Sequence, residues 1–182
     1  MILWNKNLLL GFAPNYEENF IKQWAIINDF TLLGDNDIKK IQEYTPYFFV
    51  KNPNTRLPEQ LIAFVEKNAQ LQSSTILKQW KNIKELATEI LEDNPKDWFN
   101  IDPKNFIGQK SYANKFKVEW KYNCFEKFND FCKENKLEEL TIDSLPINKK
   151  LFSASILFLN KYNNQKQELY EDDYSIYNML IK

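Results

Sequence analysis

Residue types that carry acid–base or nucleophilic chemistry are sparse in this sequence. Histidine is absent, which removes the commonest general base, the usual partner of a serine or cysteine nucleophile and the commonest zinc ligand. Only carboxylate, lysine or tyrosine chemistry would be left. The acidic clusters, Glu138 with Glu139 and residues 171–173, are interpreted as solvated turns because no paired ligand spacing accompanies them. We therefore expect no enzymatic activity, no metal and no cofactor.

The two cysteines, Cys124 and Cys132, lie on one predicted helix. Their eight-residue spacing corresponds to about 12 Å along a helix axis, which is too far for a disulfide. Buried, reduced thiols fit a cytosolic compartment, so the sequence predicts a cytoplasmic location. No signal peptide is predicted, and no apolar run approaches the ~20 residues of a membrane span. We expect a soluble protein without a small-molecule substrate.

Aromatic and proline residues concentrate between residues 45 and 60. Proline fixes φ and withholds a backbone donor, so this segment is predicted to be an extended arm that packs by its aromatic side chains outside the interior of a sheet. The only arginine of the chain, Arg56, can anchor a partner through bidentate or stacking contacts. Two interpretations stay open: the arm binds a partner, or Phe48 and Phe49 cover the protein's own core. The candidate partner-binding residues are Pro46, Tyr47, Phe48, Phe49 and Arg56.

Nucleic-acid binding is an alternative that depends on lysines. Positive and negative residues nearly balance, at 24 against 25, so any attraction to nucleic acid must be local. Residues 104–169 carry an excess of roughly four positive charges. Lys149 and Lys150 open a candidate recognition helix, and Lys161 lies further along it. Lysine lacks the planar fork that favours the reading of guanine.

Periodic apolar residues predict the elements that position these side chains. A helix over residues 16–30 carries Phe20, Trp24 and Ile27 on one face, after a capping box formed by Asn15 and Glu18. A shorter helix follows, so residues 1–45 are predicted to form a helical N-terminal extension. Residues 58–93 continue a helical period, with Pro58 in a first turn and a cap at residues 73–74. Residues 97–102 are predicted to be a short strand with Trp98 or Phe99 exposed.

The hydrophobic period changes from two to about 3.6 at Asn123. Residues 116–122 alternate between apolar and charged side chains, which is typical of a strand with one wet face. Residues 124–134 then predict an amphipathic helix, which begins at a capping box of Asn123 and Glu126. The same order recurs, with a turn at residues 143–146 and two strands about Asp172 and Asp173. The predicted fold is α+β and mainly helical, with winged-helix units at 46–122 and 123–182.

This order of elements resembles the small tandem winged-helix subunit of the endosomal sorting complex ESCRT-II. The family begins with an arm of the form Pro-Pro-aromatic-aromatic, followed by Gln-Pro-Asn, Thr-Arg and a glutamine-led apolar segment. The resemblance covers residues 46–182, and Thr45 replaces one of the paired prolines. Phe64 and Phe125 stand where tryptophan is usual. The matching arm residues are Pro46, Phe48, Phe49, Pro53, Asn54, Thr55, Arg56, Gln60, Leu61 and Phe64.

The resemblance implies a non-enzymatic assembly subunit that bridges partner proteins. It implies that the aromatic arm docks on a larger ESCRT-II subunit and that the second winged helix nucleates ESCRT-III, which would place the protein at endosomal membrane through its partners. Two alternatives stay open. One is a tandem winged-helix subunit of a nucleic-acid-binding, telomere or replication complex. The other is a small inhibitor or immunity protein that binds a partner toxin.

Overall fold

A computed structural model describes residues 1–13, 17–34, 37–38, 41, 43–68, 75–92, 106–142 and 148–182. The chain forms two compact units, each built from separate segments of the sequence. Unit 1 comprises Met1–Asn52, Gly108–Leu145 and Asp172–Lys182, and unit 2 comprises Pro53–Ile107 and Pro146–Glu171. The chain therefore leaves unit 1 and returns to it twice.

The strands within the described residues join one five-stranded mixed sheet in unit 1, with the order β3-β1-β2-β4-β5. In chain order they are β1 (Ile2–Asn5), β2 (Leu8–Phe12), β3 (Thr31–Leu33), β4 (Thr45–Val50) and β5 (Lys121–Cys124). β1 is antiparallel to both of its neighbours, β2 and β3, whereas β2, β4 and β5 are parallel. The carboxyl ends of these three parallel strands therefore lie on the same side of the sheet.

The helices, in chain order, are α1 (Glu18–Ile27), α2 (Pro53–Lys67), α3 (Ile76–Leu91), α4 (Gln109–Asn114), α5 (Phe128–Glu134), α6 (Lys149–Leu159), α7 (Asn163–Leu169) and α8 (Glu171–Leu180). Short 3-10 helices lie at Phe125–Lys127 and Asn160–Tyr162. The predicted α+β, mainly helical class is confirmed. The tandem winged-helix arrangement is not.

The core of unit 1 has two layers because successive strand residues point to opposite faces of the sheet. Phe49 lies on the face that is covered by α1 and α5, and its ring centroid is 4.7 Å from that of Phe128. Phe48 lies on the other face, 5.5 Å from Trp120, with residues of α4 and α8 in the same core cluster. A strand buried on both faces needs no alternation of polarity. This explains the continuous aromatic and aliphatic sequence of β4.

Unit 2 is helical throughout its described residues. α2 packs against α3 and α6, and α3 also packs against α6 and α7. Aromatic contacts link these helices: the ring centroids of Trp80 and Phe158 lie 5.8 Å apart. Pro53 is the first residue of α2, so Pro58 lies inside the helix and not in the predicted first turn.

The predicted helical extension at residues 1–45 is wrong. This region contains α1 as expected, but it also supplies β1, β2 and β3. Leu9 and Leu10 of β2 are completely buried, on opposite faces of the sheet. Both predicted domain boundaries, at 45/46 and 122/123, fall inside strands of this sheet, namely β4 and β5. The boundaries of the two units lie elsewhere because the sheet pairs strands from both sides of each predicted boundary.

The change of period at Asn123 gives a different local structure from the one predicted. The strand is limited to β5, while the helix that follows is confirmed as a 3-10 turn and α5. No capping box forms: the Asn123 side chain accepts from the Cys124 N–H at 2.9 Å, and Glu126 accepts from the Asn52 N–H at 3.0 Å. The predicted strands about Asp172 are wrong, since Glu171–Leu180 is helix α8. The predictions for residues 15, 73–74, 97–102 and 143–146 lie outside the described residues.

Candidate functional site

The two edges of the sheet in unit 1 carry different side chains. β5 exposes Lys121, whose Nζ lies 5.8 Å from the centroid of the Tyr47 ring. β3 exposes Thr31 and Leu32, and Leu32 has 56% of its surface accessible. Edge strands in natural proteins are usually protected from new pairing by lysine or proline. β5 has this protection, whereas β3 presents an aliphatic side chain.

The last turn of α1, which ends four residues before β3 begins, exposes two further aliphatic side chains. Ile26 and Ile27 are 75% and 67% exposed. The helix ends in a tight reversal at Asp29, which has φ 57°, and the Phe30 N–H donates to the Ala25 carbonyl at 2.8 Å. We name the exposed side chains of Ile26, Ile27 and Leu32 the β3 surface.

The reversal that positions the β3 surface is held from several sides. Asn28 is buried, its side chain donates to the Trp24 carbonyl at 3.0 Å, and its Oδ1 accepts from the Glu138 N–H at 2.7 Å. The Asn5 side chain donates to the Asn28 carbonyl at 2.6 Å. Trp24 also donates from its indole to the Glu138 carbonyl at 2.5 Å. The turn is therefore fixed before any partner binds, which reduces the entropic cost of binding.

Two carboxylates flank β3 in the sequence. Asp29 is exposed two residues before the strand, and Asp37 follows it by four residues. The Asp37 carboxylate accepts from the Gly34 N–H at 3.3 Å, which keeps it close to the end of the strand. The β3 surface therefore has a carboxylate on either side of it in the sequence, and Lys6 lies where the register of β1 with β3 continues to Asp29.

The sequence did not identify the β3 surface. Ile27 was assigned to the buried stripe of α1 together with Trp24, but only Trp24 is buried. The sequence Ile26-Ile27 nevertheless indicated that one of these side chains lies outside the buried stripe. Ile26 follows Trp24 by two residues, which is about 200° around the helix, so its side chain points away from the stripe that Trp24 occupies.

The first part of the predicted aromatic arm is β4, an interior strand of the sheet, and residues from Pro53 onward belong to α2. Phe48 and Phe49 are 0% and 2% exposed, and β4 pairs with β2 on one side and β5 on the other. The prediction that this segment stays out of the sheet is therefore wrong. Pro46 is accommodated near the beginning of the strand, and the ring of Tyr47 packs 4.9 Å from Phe131. Phe48 and Phe49 thus have the core position that the sequence had left open.

The other predicted site residues lie apart from one another within unit 2. Arg56 is 2% exposed and donates from Nη2 to the Ile107 carbonyl at 2.9 Å. Lys149 and Lys150 are exposed at the start of α6, and Lys161 is exposed in the 3-10 turn that follows α6. The 12-residue separation of Lys149 and Lys161 corresponds to about 18 Å of helix. The exposed face between them carries Leu157, which is 70% accessible.

Thiol chemistry is disfavoured at both cysteines. Cys124 and Cys132 are buried and free, which confirms the absence of a disulfide between them. Burial raises the pKa of the Cys132 thiol to about 12, with a smaller contribution from the negative charge of Glu139. Burial also raises the pKa of Cys124, whose Sγ donates to Glu126 at 3.0 Å. Both thiols stay protonated near neutral pH and are poor nucleophiles.

Unit 2 contains an open groove of about 580 Å³ between α3 and the end of α6. Two of its polar contacts are internal: the Lys81 ammonium lies 3.8 Å from the Glu85 carboxylate, and the Tyr162 hydroxyl donates to Glu92 at 3.2 Å. Lys84 lies over the Trp80 ring at 5.6 Å. We assign no ligand to this groove.

Comparisons with protein-family models, curated proteins and solved structures found no match to this chain. Within the described ranges, no three His, Cys, Asp or Glu side chains are grouped so that they could hold a metal ion. None of the helices in that part of the chain is both long and apolar enough to span a membrane.

Proposed function

We propose that this protein is a non-enzymatic binding subunit that takes up an extended segment of a partner protein along β3. The observation that carries the proposal is that β3 lies at the edge of the sheet formed by the described strands and exposes Leu32, while Ile26 and Ile27, shortly before it in the sequence, are exposed as well. The outer side of an edge strand presents backbone N–H and C=O groups to a further strand. Strand addition uses these groups for affinity and the neighbouring side chains for specificity.

The charges favour a different protein over a second copy of this chain. If β3 paired antiparallel with β3 of another copy, Asp29 of one chain would lie near Asp37 of the other. A parallel pairing would place like residues together. Either arrangement brings carboxylates together, which is unfavourable. A partner segment with aliphatic residues between lysine or arginine residues would complement the β3 surface.

Membership of an endosomal sorting complex is a narrower form of this proposal, and it rests on the resemblance alone. Phe48 and Phe49 are buried in β4, so docking on a larger subunit would have to use other residues. The β3 surface is a replacement for the predicted arm in that role. Binding of nucleic acid has less support, because the predicted lysines do not form one surface.

A photo-crosslinking experiment tests the proposal. A benzoylphenylalanine at position 26 is irradiated in cells of the native source, and the products are identified by mass spectrometry. The matched control carries the same group at position 77, because Leu77 is exposed on α3 of unit 2 at 81%. We expect a partner that is captured from position 26 and not from position 77.

A second substitution distinguishes strand addition from incidental contact. Leu32→Lys, introduced beside the crosslinker, protects the edge in the way that Lys121 does on β5, and we expect capture to fall at least about tenfold, which corresponds to 1.4 kcal/mol. Circular dichroism checks that the variant folds. Capture of the same proteins from positions 26 and 77, or capture that Leu32→Lys leaves unchanged, would contradict the proposal. A crosslinked dimer would show that the molecule bound at the β3 surface is a second copy of this chain.

A further inference from the structure

The connections that follow two neighbouring parallel strands of unit 1, β2 and β4, lead to opposite sides of the sheet. The connection that leaves β2 runs through α1 to β3 on one side, whereas the connection that leaves β4 leads to β5 on the opposite side. In open α/β sheets, ligands bind outside the carboxyl ends of strands at such a switch point. The topology therefore indicates a binding site at the carboxyl ends of β2 and β4.

A buried ion pair lies at the carboxyl ends of these two strands. Glu17 precedes α1 and is 2% exposed, and Lys51 follows β4 and is 7% exposed. The Lys51 ammonium donates to Glu17 Oε1. The backbone of Lys51 is fixed by the Gln109 side chain, which accepts from its N–H and donates to its carbonyl, both at 2.8 Å. The ammonium also lies 5.8 Å from the centre of the Phe125 ring.

The second oxygen of the Glu17 carboxylate has no hydrogen-bond partner within the part of the chain that the structure describes. A buried acceptor left in this state destabilises the fold, and a charged acceptor does so more strongly than a neutral one. The neighbouring Glu18 shows the contrast: it is accessible and pairs with Lys22 at 2.7 Å. Glu17 is thus a fixed and desolvated acceptor that lacks one donor.

From this juxtaposition we propose that unit 1 binds a neutral, hydroxyl-bearing small molecule, such as a ribose or another sugar, whose O–H donates to Glu17 Oε2. The charge of the site selects this class of ligand. The pair of Glu17 and Lys51 is neutral overall, so an anionic ligand would meet an unshielded carboxylate oxygen. A cationic ligand would leave a buried excess charge, which is costly. A hydroxyl donor satisfies the oxygen without either cost.

The test is a titration of the 15N-labelled full-length protein with adenosine and, separately, with D-ribose, each at millimolar concentration and followed by NMR. We expect saturable shifts of the Lys51 and Gln109 amide signals with at least one of the two probes. Adenine, which lacks the sugar hydroxyls, should not produce them. Shifts confined to other regions of the chain, or no saturable shift with either probe, would overturn the proposal.

The variant Glu17→Gln isolates the orphaned oxygen. Its amide carbonyl still accepts from Lys51, while an NH₂ group replaces the acceptor that the ligand needs. We expect at least about tenfold weaker binding, and the control Glu18→Gln should bind as the wild type does. Unchanged binding by Glu17→Gln would sink the proposal even if the probe binds. If Glu17→Gln fails to fold, Glu17→Asp, which keeps the charge but withdraws the oxygen, replaces it with the same expectation. The site lies apart from the β3 surface, so neither result bears on the proposed function.

Discussion

Gly11 lets two aromatic side chains pack directly against the sheet. A Cβ at this position would overlap the ring of Phe48, which pairs with Gly11 in the neighbouring strand, and would lie 3.2 Å from Cη2 of Trp120. Phe48 is completely buried and cannot move aside without disturbing the core. The requirement at Gly11 is close approach and not backbone conformation, since no glycine in the described chain has positive φ.

Replacement of Gly11 by alanine is therefore expected to destabilise unit 1. Overpacking of a filled core typically costs about 1–3 kcal/mol, which should lower the midpoint of urea unfolding. The control is Gly34→Ala, where the nearest atom to an added Cβ is the Asp37 carboxylate at 3.3 Å. A Gly11→Ala variant as stable as Gly34→Ala would contradict the packing described for Phe48.

Lys166 is the second residue whose surroundings make a definite prediction. It lies in α7 and is only 4% exposed, and burial lowers the pKa of its ammonium below the ordinary 10.5. The unfolded chain therefore binds this proton more tightly than the folded chain does. The burial cost is present in full below the lowered pKa, and it disappears as the pH rises towards 10.5.

The variant Lys166→Met should raise the midpoint of urea unfolding at neutral pH, because it removes the burial cost of the ammonium. The difference in unfolding midpoint between the variant and the wild type should become smaller as the pH approaches 10.5. Lys161→Met, at an exposed lysine on the same stretch, should show neither effect. A constant difference between wild type and Lys166→Met across this pH range would show that Lys166 has an ordinary pKa.

At the scale of elements, short helix α4 depends on a side chain far away in the sequence. The Asp173 carboxylate accepts from the backbone N–H groups of Gln109 and Lys110 at 2.7 and 2.9 Å, and it is 1% exposed. These are donors that the first turn of a helix cannot satisfy by itself. Gln109 in turn holds the backbone of Lys51 after β4. One carboxylate thus fixes a helix start and, through it, the end of a central strand.

Asp173→Ala is expected to destabilise unit 1 by about 1–3 kcal/mol, because it leaves two backbone donors unsatisfied in a buried position. The neighbouring residue supplies the control. Asp172 pairs with Lys110 at 3.0 Å, but its side chain is 61% exposed, so Asp172→Ala should change little. Equilibrium unfolding in urea measures both variants. Equal effects of the two substitutions would refute the capping role of Asp173.

For the molecule as a whole, the main fact is that neither unit is a continuous piece of chain. Unit 1 is assembled from three segments, and its last segment provides Ile176 and Tyr177 to the core on the Phe48 face of the sheet. Burial raises the pKa of Tyr177 to about 12, which agrees with this position in the core. Folding of unit 1 therefore requires contacts between its N-terminal strands and the C-terminal end of the chain.

Truncation after Glu171 tests this requirement. Unit 2 keeps all its residues, whereas unit 1 loses Ile176 and Tyr177, so hydrogen exchange should accelerate in peptides from β2 and β4 and stay slow in α3 and α6. The control is truncation after Leu180, which removes only the exposed Ile181 and Lys182. Equal acceleration in both units, or in neither, would contradict the division into these two units.

Local patterns determined part of this structure. The 3.6-residue period predicted α1 and the helix after Asn123, because a helix satisfies its own backbone within a few residues and displays its apolar stripe along a short stretch. The order of helical and alternating periods along the chain also predicted the α+β, mainly helical class. The spacing of Cys124 and Cys132 predicted free thiols, since that distance is set by the helix itself.

Tertiary pairing decided the rest. The sequence from Tyr47 to Val50 is compatible with an exposed arm or with a buried strand. Only its pairing with β2 and with β5, some 70 residues away, makes it an interior strand of a sheet. Pairing between distant strands likewise places the apolar residues near Leu9 in the middle strand of the sheet and Leu32 in an edge strand. A strand satisfies its backbone through partners that are distant in the sequence, so its position in the sheet, and the surfaces that it leaves open, exist only in the folded molecule.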